Sequence, residues 1–154
     1  MYSVTRVIIN QSMVYSGSND NKIKAWSIPS ATLKYEVAHL HSIYDVVIGR
    51  EGTPLSDRIL SISFDSYCRI SNLETGTEIK RIEFDNYCYS IAVDKGQTLI
   101  AIGNGEKVTF IETSDFTIAK EVTLDGDVFA LAFNQRNDCL LAVTEEGKVH
   151  SFKF

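Results

Sequence analysis

One motif organises this chain: Val14-Tyr-Ser-Gly-Ser-Asn-Asp20-Asn-Lys-Ile23-Lys-Ala-Trp26. It joins two short apolar segments through a turn of Asn and Asp, which tolerate left-handed backbone, so it predicts a tight hairpin. Weaker copies of the turn stand at Asp65, Gly105 and Glu146, at intervals of 45, 40 and 41 residues. A nearly constant period of this length is typical of a repeat architecture.

The segments that precede the motif repeat with it. Those starting at Val4, Ile43, Cys88 and Val128 share one apolar pattern, and each ends in Asn, Gly or Asp. The apolar segments are short, rich in Val, Ile, Phe and Tyr, and separated by turn-forming residues, which indicates strands rather than helices. We predict four strands per unit, and in the first unit they fall near 4–9, 12–17, 22–28 and 32–37. The fourth unit is predicted to end after its third strand.

These features resemble the WD-repeat β-propeller family, whose units of about 40 residues each form a four-stranded blade. The residues that carry the resemblance are Ser16-Gly-Ser-x-Asp20-x-x-Ile-Lys-x-Trp26, and Ser27 replaces the Asp of the family's Trp-Asp pair. The later copies have Ser71, Ile111 and Phe152 in place of the Trp.

The resemblance implies an all-β propeller with about four blades of four antiparallel strands, the last blade lacking its outer strand. The chain is then a single repeat domain, 1–154. Its blades are expected at about 4–38, 39–84, 85–124 and 125–154.

In that family a His, a Ser or Thr, the turn Asp and the Trp form a hydrogen-bonded tetrad that locks each blade. By resemblance the second blade contributes His39, Ser61 or Ser63, and Asp65, with Ser71 where the Trp belongs. The first blade contributes Asp20 and Trp26, with Ser16 or Ser18, and its His would precede residue 1. The tetrad residues predicted in this way are Asp20, Trp26, His39 and Asp65.

Propellers of this family usually have seven or eight blades, so a chain of four blades leaves three alternatives. The chain is a fragment of a longer propeller, it pairs with a second copy to complete an eight-bladed ring, or it closes alone with four blades. We favour the fragment, followed by the homodimer. An incomplete ring is expected to expose the apolar faces of its end blades and a strand edge at 148–154.

The composition argues against several classes of function. The net charge is −5 and the Lys and Arg residues are scattered, so no basic stripe is available for direct nucleic-acid binding. The apolar runs are too short to cross a membrane, and the N-terminus does not have the pattern of a secretory signal. Three cysteines without C-x-x-C spacing predict buried, reduced thiols. We therefore expect an intracellular protein, cytoplasmic or nuclear.

No motif of a known catalytic site is present, and neither an enzymatic activity nor a cofactor is predicted. His39-Leu-His41 has the spacing to present two metal ligands on one strand face, but no third ligand is close in sequence. A tetrad role for His39 and exposure of His41 are favoured.

The insertion at 50–58 lengthens a loop of the second blade, and it is either a contact site or tolerated surface.

The resemblance points to a rim of variable positions on one face of the propeller. They are the second residue of each first strand, and the residue just before each turn Asp: Thr5, Tyr44, Tyr89, Phe129, Asn19, Phe64, Asn104 and Glu145. Aromatic residues with acidic neighbours predict a surface for an extended peptide with basic residues, and the candidates are Tyr44, Phe64, Tyr89 and Phe129. The alternative is that these rings only pack against adjacent loops.

The function predicted from the sequence is a non-enzymatic scaffold for protein–protein interaction. Its partners would be peptide segments or a completing propeller half, with a homodimer as a further option. The competing hypothesis is a propeller enzyme, or a binder of a metal or small ligand, that uses polar residues near the central axis.

Overall fold

The computed structural model describes residues 2–154; Met1 lies outside it, so the domain predicted over 1–154 is described from residue 2 onward. The described chain is all-β, with 15 strands in four antiparallel sheets. Residues 2–154 contain no helix long and apolar enough to cross a membrane.

The strands follow one another along the chain in four groups. The first sheet contains β1 (Val4–Asn10), β2 (Met13–Ser18), β3 (Lys22–Ser27) and β4 (Thr32–Ala38). The second contains β5 (Ile43–Ile48), β6 (Arg58–Ser63), β7 (Tyr67–Asn72) and β8 (Glu78–Glu83). The third contains β9 (Cys88–Val93), β10 (Leu99–Asn104), β11 (Lys107–Glu112) and β12 (Ile118–Thr123). The fourth contains β13 (Val128–Phe133), β14 (Cys139–Thr144) and β15 (Val149–Lys153).

Each sheet is a meander in which every strand pairs with the next one in sequence. Three sheets have four strands and the last has three, as the repeat predicted. The strand limits predicted for the first unit agree with the structure to within one residue. The turns between second and third strands each hold one residue with left-handed backbone, namely Asn21, Ser66, Gly105 and Gly147. The turn residues in the repeat therefore mark real hairpins.

The first strands of successive sheets lie side by side, β1 beside β5, β5 beside β9 and β9 beside β13. The sheets therefore face one another in sequence order, with their fourth strands toward the outside. Three apolar clusters fill the spaces between successive sheets, and branched residues such as Ile43, Ile62 and Val128 form much of them. Burial of this apolar surface is the main source of stability.

The two ends of this array do not cover each other. Val7 on the outer face of the first sheet and Leu141 on the outer face of the last sheet are both exposed. Residues 2–154 therefore show no closed ring, and the alternative in which four blades close alone is not observed.

Two sequence-based expectations need correction. The inserted loop at 50–58 is not merely surface, because Leu55 is fully buried in the cluster between the second and third sheets. Of the three cysteines, all of which are free, Cys68 and Cys88 are buried, but Cys139 is only half-buried. Cys139 is the first residue of β14, where the strand leaves a turn and is incompletely covered.

Candidate functional site

A β-bulge near the start of each first strand positions the predicted rim residues. In the four sheets the strand pairing skips Thr5, Tyr44, Tyr89 and Phe129, the second residue of each first strand. A bulged residue is left out of the ladder and its side chain is redirected. The repeat therefore presents the same strand position to the same face four times.

Five aromatic side chains form one continuous patch across three sheets. They are Tyr44, Phe64, Tyr87, Tyr89 and Phe129, which we call the aromatic patch. Tyr44 contacts both Phe64 and Tyr89, with ring centroids 4.7 Å and 5.6 Å apart. Phe64 also contacts Tyr87 at 5.2 Å, and Tyr89 contacts Phe129 at 4.9 Å. The contacts are edge-to-face, a geometry that contributes about 0.5–1.5 kcal/mol per pair.

The aromatic patch is open to solvent along much of its length. Tyr44, Tyr87 and Phe129 are exposed, whereas Phe64 and Tyr89 are half-buried beneath their neighbours. The structure thus brings together all four aromatic residues predicted for the rim. It also adds Tyr87, which precedes β9 and belongs to none of the aligned rim positions.

Carboxylates border the aromatic patch at the fourth sheet. The Tyr89 hydroxyl donates a hydrogen bond to Asp127 Oδ2 at 3.3 Å. Burial raises the pKa of Tyr89, and the negative charges of Asp127 and Glu145 raise it further. Glu145 is exposed. This end of the patch therefore carries negative potential, which favours a cationic group.

The remaining rim predictions separate into exposed and buried positions. Asn19 and Glu145 are exposed, and Thr5 Oγ1 donates to the Ile43 carbonyl at 2.9 Å. The prediction for Asn104 is wrong: its side chain is buried and donates to Thr109 Oγ1 at 2.8 Å. The third hairpin is shorter than the others, with only two residues between β10 and β11, so Asn104 stays within the strand.

Beside the aromatic patch, a buried polar network joins the second hairpin to the loop that precedes β5. His39 Nδ1 lies 3.1 Å from Asp65 Oδ2, and His39 Nε2 lies 2.8 Å from Ser61 Oγ. Of the two serines left open by the sequence, Ser61 is thus the one that contacts His39. Ser63 instead donates to the His41 carbonyl at 2.9 Å.

Arg69 is a member of this network that sequence reasoning missed. Its Nη1 donates to Asp65 Oδ2 at 2.6 Å and contacts the His39 ring, while its Nε donates to Glu78 at 3.1 Å. Ser71, at the position expected for Trp, is buried and its hydroxyl has no partner among the described residues. One signal for Arg69 was available: it follows Asp65 by four residues, as Lys24 follows Asp20.

Asp65 accepts more hydrogen bonds than any other side chain of this network. Besides His39 and Arg69, the Leu40 and Tyr67 amides donate to it at 2.9 Å and 3.1 Å. Burial favours a higher pKa for Asp65, but the hydrogen bonds from His39, Arg69 and Leu40 outweigh it and hold the pKa far below its usual value. Asp65 is therefore a buried carboxylate, compensated by Arg69.

His39 is held in its neutral form. Burial lowers its pKa from the ordinary value of 6.5; the hydrogen bond with Asp65 opposes this change and the charge of Arg69 adds to it. The negative charge of Glu78 also favours the protonated form of His39. The net result is a pKa of His39 below its ordinary value. As the pH falls, His39 therefore takes up its proton at a higher pH in the unfolded chain than in the folded one.

These shifts predict a loss of stability in acid. As the pH falls below about 6.5, His39 protonates first in the unfolded state, and below about pH 4 Asp65 does the same, so the free energy of unfolding decreases in both ranges. Denaturant titrations between about pH 7 and 5 should show a shallower pH dependence for His39→Gln than for the wild type. The exposed His41 supplies the control, since His41→Gln should keep the wild-type slope; an unchanged slope in His39→Gln would contradict the prediction.

The equivalent residues of the first sheet are less enclosed. Asp20 accepts hydrogen bonds from the Lys22 amide at 3.1 Å and from Lys24 Nζ at 2.6 Å. Trp26 is half-buried on β3, and among residues 2–154 no hydrogen bond joins it to Asp20 or Ser16. Asp20 therefore closes its own hairpin, while the predicted role of Trp26 in a tetrad has no counterpart in these contacts.

The remaining candidates for a metal or ligand site are the two histidines near β5 and one surface cleft. Within residues 2–154 no three His, Cys, Asp or Glu side chains cluster as ligands, and His39 and His41 do not converge because one is buried and the other exposed. A cleft of about 870 Å³ lies between the first two sheets, away from the aromatic patch. It is open, and its charged residues, including Lys34, Arg50 and Glu74, carry both signs.

Comparison with known proteins gives a fold but no family. No protein-family model matches the chain. Protein ROOT INITIATION DEFECTIVE 3 of Arabidopsis thaliana is 26% identical over 168 residues, which cover 96% of this chain and 38% of that protein. The chain thus spans well under half the length of this relative.

Two designed proteins of known structure have a similar backbone. The computationally designed Ika4 and Ika8 proteins each match 99% of this chain with a TM-score of 0.84 and 16% identity. The match covers 91% of the Ika4 chain but 46% of the Ika8 chain. At this identity the similarity concerns the fold alone, and together with the four antiparallel sheets it supports a β-propeller-like fold.

Proposed function

We propose that this chain is a non-enzymatic interaction module that binds an extended peptide with basic and apolar residues on the aromatic patch. The observation that carries the proposal is the continuity of the patch. Five rings from three sheets touch in series, and three of them are exposed. Aromatic side chains dominate binding at protein interfaces because they bury a large area at a small entropic cost.

The surroundings of the patch favour this class of partner. Asp127 and Glu145 place carboxylates at the Phe129 end, where a Lys or Arg of the peptide would find a counter-charge. The bulges and the ring-to-ring contacts hold the aromatic side chains in place before binding. Preorganisation of this kind reduces the entropy lost on association.

We further propose that the module is of the WD-repeat type and acts inside the cell. Support for the repeat type comes from the contacts of His39, Ser61 and Asp65, which are the residues that the family resemblance assigns to a tetrad. Support for the location comes from three free cysteines, since free thiols are typical of reducing compartments.

Peptide binding can be measured by fluorescence anisotropy. The probe is a labelled peptide that alternates Arg and Leu, and a peptide that alternates Glu and Leu is its charge control. We expect the Arg/Leu peptide to bind and the Glu/Leu peptide not to bind. The triple variant Tyr44→Ala, Tyr89→Ala, Phe129→Ala should weaken binding by more than about tenfold, because it removes the centre of the contact surface.

Matched controls separate binding from folding. Tyr2→Ala removes an exposed aromatic residue outside the patch and should leave the affinity unchanged. Thermal unfolding of the triple variant should remain cooperative. If the triple variant unfolds, the rings belong to the core; if it stays folded and still binds as tightly as the wild type, the patch is not the binding surface.

A further inference from the structure

The first sheet has an uncovered apolar face, made by Val4, Val7 and Ile9, which we call the leading face. Val7 is 57% exposed and Ile9 is 68% exposed. In the second sheet the corresponding residues of the first strand are Ile43, Val46 and Ile48, and they pack against the first sheet. Val46 is 1% exposed. The leading face therefore consists of the same strand positions that, in the second sheet, are buried against the preceding sheet.

The last sheet has the complementary feature, an uncovered trailing face made by Leu141, Val143 and Val149. Leu141 is 40% exposed and Val149 is 64% exposed. Strand pairing places them in the same register as Leu60, Ile62 and Cys68 of the second sheet, which are all 0% exposed beneath the third sheet. The trailing face thus matches surfaces that elsewhere receive a following sheet.

The occupant that matches both faces is a second copy of this chain. Three successive junctions already join a trailing face to a leading face, and each is filled by branched and aromatic residues. The leading face of one copy can therefore pack on the trailing face of another copy in the same way that each sheet packs on the preceding sheet within the chain. Within residues 2–154 the fourth sheet has three strands, and the new junction uses the same inner strands as the internal ones.

We propose that two copies associate head to tail through two identical junctions, each joining the trailing face of one copy to the leading face of its partner. Such a heterologous contact ends in a closed, two-fold symmetric ring when the accumulated rotation allows it. The four-sheet array matches nearly all of the Ika4 chain but under half of the Ika8 chain, so the same sheet geometry occurs in a chain long enough for a second set.

The first test is the mass in solution by size-exclusion chromatography with light scattering. We expect twice the chain mass of 17.2 kDa for the wild type and the chain mass for Val7→Asp and for Leu141→Asp. Both residues are exposed in the single chain, so these variants should remain folded. An equal mixture of the two variants should regain dimer, because one of its two junctions is intact. Ile118→Asp changes an exposed residue of β12 away from both faces and should leave the dimer unchanged.

A crosslink tests the head-to-tail register even if an aspartate variant unfolds. At the internal junction a Cβ at Gly17 would lie 3.0 Å from Val46 Cγ2. Val143 occupies the register position of Gly17, opposite the third residue of the first strand, and Val7 occupies that of Val46. The variant Val7→Cys, Val143→Cys should therefore form disulfide-linked dimers on oxidation, while each single variant should not.

Three results would overturn the proposal. The wild type would behave as a monomer over the whole range of accessible concentrations. A dimer would form but survive both aspartate substitutions. The double cysteine variant would give a ladder of higher oligomers, which would show an open filament in place of a closed ring.

Discussion

Replacing Asp65 by alanine is expected to lower the free energy of unfolding by about 3–5 kcal/mol, because it removes the buried counter-charge of Arg69 and leaves that guanidinium only the partly exposed Glu78. The Asp65 carboxylate accepts hydrogen bonds from two side chains and two backbone amides, and its side chain and that of Arg69 are almost fully buried. Without it, His39 also loses the group that orients its ring. Denaturant titration at neutral pH measures the change directly.

Asp20→Ala provides the matched control, because Asp20 closes the equivalent hairpin of the first sheet. Its partner Lys24 is partly exposed and water replaces the lost contact, so we expect a cost of only about 1 kcal/mol. Equal costs for the two variants would show that the buried network adds nothing beyond an ordinary hairpin. A second comparison, Arg69→Met, should be milder than Asp65→Ala, since it removes the buried cation and leaves Asp65 with hydrogen bonds from His39 and two amides.

Leu55→Ala should cost about 2–5 kcal/mol, although Leu55 lies in a loop. Its side chain is fully buried in the cluster between the second and third sheets, so truncation opens a cavity that the rigid strands around it cannot fill. The loop is fixed on both sides of Leu55. Before it, Gln97 in the turn between β9 and β10 accepts hydrogen bonds from the Arg50 amide at 2.7 Å and from Thr53 at 2.6 Å. After it, the Leu73 amide donates to the Asp57 carbonyl at 2.8 Å.

The control for this prediction is Glu51→Ala in the same loop. Glu51 is exposed, and its truncation should change stability by no more than about 0.5 kcal/mol. Thermal or denaturant unfolding of both variants gives the comparison. A Leu55→Ala variant as stable as Glu51→Ala would mean that the loop is tolerated surface after all.

Close backbone contact explains why this loop carries a glycine at its start. A Cβ at Gly49 would lie 1.4 Å from the Leu55 carbonyl oxygen. Any side chain at this position would displace the loop and withdraw Leu55 from the core. The insertion that made the second repeat longer than the others is thus a packed element between two sheets.

The candidate site was accessible to sequence reasoning only where the repeat register applied. Tyr44, Tyr89 and Phe129 share one register position, and the bulge at that position directs all three to the same face. Tyr87 occupies no aligned position, and its membership of the aromatic patch depends on how the loop before β9 folds. Nothing in the local pattern encodes that contact.

The buried network around Asp65 also combines residues that the sequence predicted with one that only the structure revealed. His39 and Asp65 are 26 residues apart and were paired by resemblance, but Arg69 stood outside the expected tetrad. Arg69 lies on β7, just after the hairpin that contains Asp65, and its side chain points toward the buried Asp65 carboxylate. Ser71, where a Trp was expected, leaves that position without a hydrogen-bond partner in the described structure.

The sequence alone determined the number, order and approximate limits of the strands, because apolar alternation and turn residues act over a few neighbouring positions. It also determined that four similar units follow one another. Only the tertiary structure decided that Leu55 is core, that Arg69 compensates Asp65, and that five rings form one surface. Those outcomes depend on distances between residues far apart in sequence and on the cost of leaving a buried charge or cavity unfilled, and neither is written in a local pattern.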